Sequence, residues 1–344
     1  MNDKPLISII IPVYNVKQFL GDCLDSILKQ KFHNYEILLI DDGSTDGSTE
    51  ICKNYCSQSD KVIFIRQENK GVGEARNNGI RNAKGDFIYF LDSDDFIEDD
   101  FFAAIVPLLK NDTEIVHFGF NRVNIEKTIL NKEVPKKGTI NNLPLEKAKL
   151  ATLLNSGVGL SLWNKLIKTS LIKENNIWFD GKKRGQDIAF NIKVFNVTKR
   201  IDIIDKSLIN YRIIMGTGKK NDPSIVKNHI DNFVDIYSFF KGDHSSEIEK
   251  YLINLFSGWF LFVIPLNITS NDKASQQKQI DILFNNEFII SYLKKFKSKL
   301  NPYQKLMAFA ILNKQVWLFV LLGKMTSTYR KFKYSEYTLS IRLT

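Results

Sequence analysis

The sequence predicts an α/β fold, a mixed and mostly parallel sheet flanked by helices, with a helical C-terminal region behind it. Three observations predict this. Short apolar, β-branched runs alternate with segments of helical spacing through the first hundred residues, the pattern of right-handed strand–helix–strand units. Acidic residues stand directly after two of those runs, at the strand ends where open sheets of this kind bind ligands. After about residue 225 the strand signals stop and apolar residues recur at helical spacing.

The elements follow in order. Residues 6–11 form an apolar run that reads as a strand buried on both faces. Residues 16–29 show helical spacing through Phe19, Leu20, Leu24, Ile27 and Leu28. EILLI at 36–40 is a second strand, ending at Asp41-Asp42-Gly43-Ser44, and 45–57 is a helix with Thr45 or Ser44 as cap. A third short strand at 62–65 precedes a helix at 72–83. FIYFL at 87–91 is a fourth strand, ending at Asp92, and 99–109 is helical. The polar stretch 111–145 holds one strand at 115–120, and 145–154 is helical. Residues 157–180 show no clear period. A helix is expected at 188–197 with Gln186 and Asp187 at its start, then short strands at 200–204 and 208–213 and a basic loop at 215–223. The uncharged segment 252–268 is broken by Pro265 and falls short of the roughly 20 apolar residues of a spanning helix, so it reads as a buried core helix. Residues 306–323 are interrupted by Asn313-Lys314-Gln315.

Composition bounds the function. The 344 residues are 44% hydrophobic and 25% charged, enough for a sizeable core and too apolar for disorder. The net charge of +10 comes from the tail: residues 290–344 carry eleven Lys and Arg against one acid, Glu336, and the rest of the chain balances. A general nucleic-acid surface is therefore not expected. Cys23, Cys52 and Cys56 make neither a disulfide framework nor a zinc site, which suits a reducing, cytoplasmic setting. The N-terminus lacks the pattern of a signal peptide. His33, His117, His229 and His244 have no metal-ligand spacing.

Three clusters can carry chemistry. Asp92-Ser93-Asp94-Asp95 packs three carboxylates whose repulsion a divalent cation would relieve, with phosphate oxygens completing its shell. Asp41-Asp42-Gly43-Ser44 puts a carboxylate where it can accept hydrogen bonds from a base or a ribose. Asn69-Lys70-Gly71-Val72-Gly73-Glu74-Ala75-Arg76 places a Gly-rich turn at a helix N-terminus, which favours an anion, with Arg76 one turn in. It lacks the third glycine of a dinucleotide fingerprint.

Together SIIIPVYN, DDGSTDGS, NKGVGEARNNGI and LDSDD, in this order and spacing, resemble the family 2 glycosyltransferases of GT-A fold, closely over residues 6–100 and more faintly to about residue 215. The nearest likeness is to bacterial enzymes of capsular, exopolysaccharide or lipopolysaccharide assembly. The resemblance implies inverting, metal-dependent transfer of one hexose (galactose, glucose or an N-acetylhexosamine) from a UDP-sugar to a saccharide acceptor, often lipid-linked. It places Pro12, Val13 and Tyr14 beside uracil and ribose, Asp41 on the uracil edge or ribose, and Gly71, Arg76 and Ser93 near the nucleotide. Asp92 and Asp94 become the DxD pair for Mn²⁺ or Mg²⁺. The general base corresponds to Asp187 in Gly185-Gln186-Asp187, where Gln186 replaces the family's Glu. Weaker correspondences put Trp163, in Trp163-Asn164-Lys165, under an acceptor sugar and Arg212, in Tyr211-Arg212, before a loop over the diphosphate; that loop departs from the family's Arg/Pro/Gly/Ser pattern, and Lys219 and Lys220 are its candidates for phosphate contacts. The processive Gln-x-x-Arg-Trp motif is missing, which points to single-sugar addition.

The expected division is a transferase domain over residues 1–222 and a helical region over 223–344. In the tail, basic and aromatic residues interleave with apolar stretches, as in segments that lie on anionic bilayers, so peripheral attachment to the inner face of the cell membrane is expected. A second copy of the chain is the other candidate cover for that face. Two rival functions remain. A nucleotidyltransferase would need a Gly-rich basic loop directly after the first strand, where Pro12-Val13-Tyr14-Asn15 stands. A carbohydrate- or lipid-binding scaffold without catalysis is suggested by Gln186.

Overall fold

The structure, a computed structural model, describes residues 4–181, 185–214, 224–268 and 273–333. Lys219, Lys220 and the last eleven residues of the basic tail lie outside the described residues. The chain forms two compact units, Met1–Ile213 and Ile214–Thr344.

The first unit is built as the alternation requires. β1 (Ile7–Val13), β2 (Tyr35–Asp41), β3 (Val62–Arg66) and β4 (Phe87–Phe90) are separated by α1 (Lys17–Leu28), α2 (Ser48–Gln58) and α3 (Val72–Asn82). β1 pairs in parallel with β2 and β4, and β2 with β3, so their carboxyl ends share one edge. Every residue of β1 and β2 is buried, which is why their runs do not alternate. Gly79 lets α3 seat against β1, since a Cβ there would stand 2.3 Å from Ile10 Cγ2.

Beyond β4 the sheet becomes mixed. β5 (Phe96–Ile97), α4 (Phe101–Ile105), β6 (Ile115–Val123), β7 (Ile129–Glu133), β8 (Gly138–Ile140), α5 (Lys147–Leu153), β9 (Lys165–Lys168), α6 (Thr169–Glu174), α7 (Gln186–Val197) and β10 (Ile201–Arg212) complete the unit. The strand order is β3-β2-β1-β4-β9-β6-β10-β5, with β7 beside β6 and β8 beside β10. The predicted α/β layout holds, with local corrections. The helix expected from residue 45 begins at Ser48, because Asn15 binds Ser44 and Thr45 and Asp46 Oδ1 accepts the Ser48 N–H at 2.9 Å. The helix expected over 99–109 tightens into a 3₁₀ turn at Val106–Leu108, around Pro107. The two strands expected over 200–213 are one strand with register shifts in its pairing to β6. β9 and α6 emerge from the stretch with no period.

The second unit is helical: α8 (Ile225–Phe240), α9 (Ser246–Gly258), α10 (Ile264–Ile268), α11 (Lys273–Phe284), α12 (Glu287–Phe296), α13 (Pro302–Leu312) and α14 (Val316–Lys333). Its core spends the chain's many aromatic rings. Phe233 meets Phe256, Phe260 and Tyr292 edge-on, and Tyr292 stacks on Phe256 at 4.5 Å. The 252–268 segment is interior, as expected, with Leu252, Phe256, Phe260, Leu261 and Ile264 buried. Among the described residues no helix is long and apolar enough to cross a membrane.

Candidate active site

The carboxyl ends of β1 and β2 are stitched together. Asp42 N–H donates to Val13 O at 2.9 Å, Asn15 N–H to Ser44 Oγ at 3.1 Å, and Thr45 N–H to Asn15 Oδ1 at 2.8 Å. Pro12 and Val13 are buried in the strand and Tyr14 emerges exposed beyond it. Asp41 is fully buried and turned inward. Its Oδ1 accepts from Ser44 N–H (2.9 Å), its Oδ2 from Thr49 Oγ1 (2.6 Å), and Arg66 Nε stands 3.6 Å away. Asp42 does work that the sequence did not assign it: Oδ1 accepts from Lys70 N–H and Gln67 Nε2, and Oδ2 from Gly71 N–H at 2.8 Å. It therefore anchors the Gly-rich turn to the end of β2.

That turn sets up α3. Gly71 adopts φ 89° and ψ 160°, a backbone region closed to residues with a Cβ, and the helix starts at the next residue. One turn in, Arg76 is buried between two carboxylates. Its Nη1 donates to Asp187 Oδ1 at 2.7 Å and its Nη2 to Asp92 Oδ1 at 2.8 Å, while Nε has no partner. The Asp92 and Asp187 side chains are 30% and 33% exposed, so both remain reachable by a ligand.

The acidic turn after β4 is closed by Asp95 N–H donating to Asp92 O at 3.0 Å. Asp95 points inward and accepts the Arg212 N–H at 2.8 Å. Burial, and then the charges of Asp94 and Asp92, push its carboxyl well above the usual range. Ser93 is buried. The mutual repulsion expected from the sequence is thus present at this turn. Among the described residues no three His, Cys, Asp or Glu side chains are grouped to hold a metal by themselves. The donor set still fits a hard divalent cation shared with a phosphate: Asp92 has one oxygen on Arg76 and a second to offer, and Asp94 stands two residues on, partly exposed.

Asp187 lies in the first turn of α7, one residue after Gln186; the N-cap is Gly185, with φ 73°. Burial raises the Asp187 pKa, opposed by the Arg76 guanidinium, raised again by Asp92 and lowered by Lys165. Lys165, directly after Trp163-Asn164, takes a part here that the sequence did not assign it. It is fully buried on β9, donates to Ser161 O and to Asn164 Oδ1 (2.9 Å), and burial pushes its amine down to about 7. His117, opposite it in the β6–β9 register, is buried with both ring nitrogens unpartnered and is held neutral by burial and by Lys165. The signal for Lys165 was a lysine inside an apolar strand-like run, KLI. Asn191, one turn after Asp187, ties the two regions by donating to Asp187 O (2.9 Å) and Leu160 O (2.6 Å).

Two of the weaker expectations fall on packed residues. Trp163 is buried, stacked on Tyr211 at 5.2 Å and edge-on to Phe120. Arg212 is buried with its guanidinium 4.6 Å from the Phe19 ring and 5.3 Å from Phe96, and Nη2 donates to Asp22 at 3.0 Å. Its backbone braces the acidic turn through Asp95. The structure thus gathers Arg76, Asp92 and Asp187 directly, with Asp94 two residues after Asp92 in the acidic turn, while Asp41, Trp163 and Arg212 face the interior.

The model for glycosyl transferase family 2 matches residues 8–174. Glycosyltransferase GlyA of Streptococcus pneumoniae is 35% identical over 223 residues, covering 63% of this chain and 32% of that protein. Glycosyltransferase GlyG of the same organism is 32% identical over 217 residues, covering 60% of this chain and 70% of that protein. The chain spans between about a third and three fifths of the length of the first relatives it matches. Residues 1–349 of TarS from S. aureus, solved in complex with UDP-GlcNAc, superpose with a TM-score of 0.69 at 18% identity, covering 97% of this chain and 93% of that one.

Proposed function

Because the chain belongs to glycosyl transferase family 2, we propose that it moves a single hexose from a UDP-sugar to a saccharide acceptor with inversion at the anomeric carbon. The observation that carries this reading is the buried Arg76 holding Asp92 and Asp187 together at the carboxyl edge of the parallel strands. The TarS complexes with UDP and UDP-GlcNAc support a uridine nucleotide as donor. On this reading residues 1–222 are the transferase domain, Pro12, Val13, Tyr14, Gly71 and Ser93 shape the nucleotide site, and Asp41, through Ser44 N–H and Thr49, fixes the turn at the end of β2 behind it.

Asp187 is the general base. Its free oxygen accepts the proton of the acceptor hydroxyl as that oxygen bonds to the anomeric carbon and the bond to the diphosphate breaks, releasing UDP. Arg76 serves by position: its charge keeps Asp187 ionised against the cost of burial and fixes the carboxylate relative to Asp92. Asp92 and Asp94 would hold a Mn²⁺ or Mg²⁺ ion, which when bound neutralises charge on the leaving diphosphate. The acceptor is taken to be a lipid-linked precursor of a cell-surface polysaccharide, reached by peripheral contact with the anionic inner face of the membrane.

The test is turnover by the purified chain with a panel of UDP-sugars and Mn²⁺, with and without chelator, and the product's anomeric configuration read by NMR. Release of UDP from one donor, a product of inverted configuration and loss of rate in Asp187→Asn support the reading. No turnover with any donor, while glycan still binds, would favour a binding scaffold instead.

A further inference from the structure

We propose that the α13–α14 hairpin of the second unit is a docking surface for an anionic lipid bilayer. This locates the membrane contact in the reading above and rests on it. The hairpin's own packing is settled: α13 buries Met307, Ala308, Ala310 and Ile311, α14 buries Phe319 and Leu322, and Tyr303 reaches across to Leu322 O. Yet large apolar side chains stay outside. Trp317, Leu321 and Met325 recur at four-residue intervals and so form one row along α14; Trp317 is 65% and Met325 58% exposed. Leu306 and Phe309 on α13 are exposed as well.

The charge pattern names the occupant. No Asp or Glu occurs between Glu287 and Glu336, whereas Lys294, Lys295, Lys297 and Lys305 stand exposed on the helices and turn leading into the hairpin. The charged residues of this stretch are all cations: Lys299 is held by Glu249 of α9, whereas Lys294, Lys295, Lys297 and Lys305 have no acidic partner among the described residues, and an apolar row on such a basic stretch complements lipid headgroups of negative charge over acyl chains. A second copy of the same surface would bring lysines against lysines, which disfavours a symmetric dimer there. A nucleic acid would have no use for the Leu321–Met325 row. Trp317 suits the bilayer boundary, with an apolar ring and an indole N–H that here donates to Gln315 Oε1 at 3.1 Å. No described helix is both long and apolar enough to cross a membrane, so the proposed contact is one lying along the bilayer surface.

The full chain is floated with vesicles of phosphatidylcholine alone and of equal parts phosphatidylcholine and phosphatidylglycerol. Flotation with the anionic vesicles alone, weakened by salt, is expected. The triple variant Trp317→Ser, Leu321→Ser, Met325→Ser should partition at least about tenfold more weakly, with UDP release on a water-soluble acceptor unchanged. Tryptophan emission should shift to the blue with anionic vesicles in the wild type and not in Trp317→Phe, a variant that keeps the helix face apolar. Equal flotation of wild type and triple variant, indifference to phosphatidylglycerol, or a wild-type dimer that the triple variant splits would each overturn the proposal. Wild-type chain that releases UDP but does not float with anionic vesicles removes the docking surface alone; wild-type chain that floats but releases no UDP removes the enzymatic reading alone.

Discussion

Arg76 and Asp187 are 111 residues apart in sequence and 2.7 Å apart in the fold, which joins α3, one turn in, to the first turn of α7. The same guanidinium holds Asp92 at 2.8 Å. A fork of two N–H groups can serve two carboxylates at once; an ammonium is a point charge and cannot reproduce that geometry. Arg76→Lys should therefore keep the fold and lose transfer by at least about 10²-fold. Arg76→Ala leaves two carboxylates repelling each other, and as both are partly exposed the stability loss should be about 2–3 kcal/mol, below the value for a sealed pair. Urea unfolding and initial rates check both; wild-type rates in Arg76→Lys would show that the bridge only holds the fold.

The pH profile should carry the signature of Asp187. A base must be ionised to accept a proton, and burial raises this carboxyl above its ordinary 3.8 despite Arg76. The acid limb of kcat should thus lie above the range of an exposed aspartate, with activity falling as pH falls through it. Asp187→Asn should cut kcat by roughly 10²–10⁴ with donor binding nearly unchanged. A matching loss of donor affinity would place Asp187 on the nucleotide instead.

Lys165 gives a second pH effect, on stability, from a pKa shifted the other way. Its amine sits at about 7 in the fold and at 10.5 in an unfolded chain. Between those values the unfolded chain holds a proton that the folded one lacks, so the stability contributed here rises with pH, on the order of 1 kcal/mol per unit. The gap in unfolding free energy between wild type and Lys165→Met should widen in favour of the wild type from pH 7 to 9. Losing the cation should also move the acid limb of kcat upward, since Lys165 lowers the Asp187 pKa. Parallel stability curves would mean that Lys165 is not protonated differently in the two states.

These effects mark the border of what the sequence could tell. Strands such as β1 and β2 were legible because burial on both faces leaves an unbroken apolar run, and the motifs were legible because each sits at a strand end. The pairing of Arg76 with Asp187 was not, since it depends on how α7 returns to the sheet. β9 and α6 span four and six residues, too few to display a period. Asp41 and Asp42 are expected to meet a ligand because they stand at the carboxyl end of a strand; in the fold, backbone N–H groups and Thr49 satisfy them, and satisfied carboxylates can turn inward. Trp163 shows the same limit, as an aromatic that could stack on a sugar stacks on Tyr211.

Gly73 and Gln186 provide the sharpest test of how α3 and α7 are fitted together. A Cβ on Gly73 would stand 2.1 Å from Gln186 Oε1 and 3.2 Å from its Cδ, with Phe179 Cβ at 3.4 Å behind. The glutamine side chain is buried and its Oε1 has no partner, so it is held by packing against the glycine. Gly73→Ala must displace it, and Gln186 immediately precedes Asp187 at the start of α7. The single variant should lose transfer by about tenfold through a base moved off its position, as small shifts of positioned groups cost this much or more. Gln186→Ala should be mild, since it removes an amide whose oxygen was unsatisfied. The double variant should recover most of the lost rate, because the vacated space admits the new methyl. Coupling of about 1 kcal/mol between the two sites is the expected result of that cycle. Simple additivity, with the double variant as slow as Gly73→Ala alone, would show that the contact does not hold the base, and that Gly73 is required for the ligand that passes the α3 N-terminus.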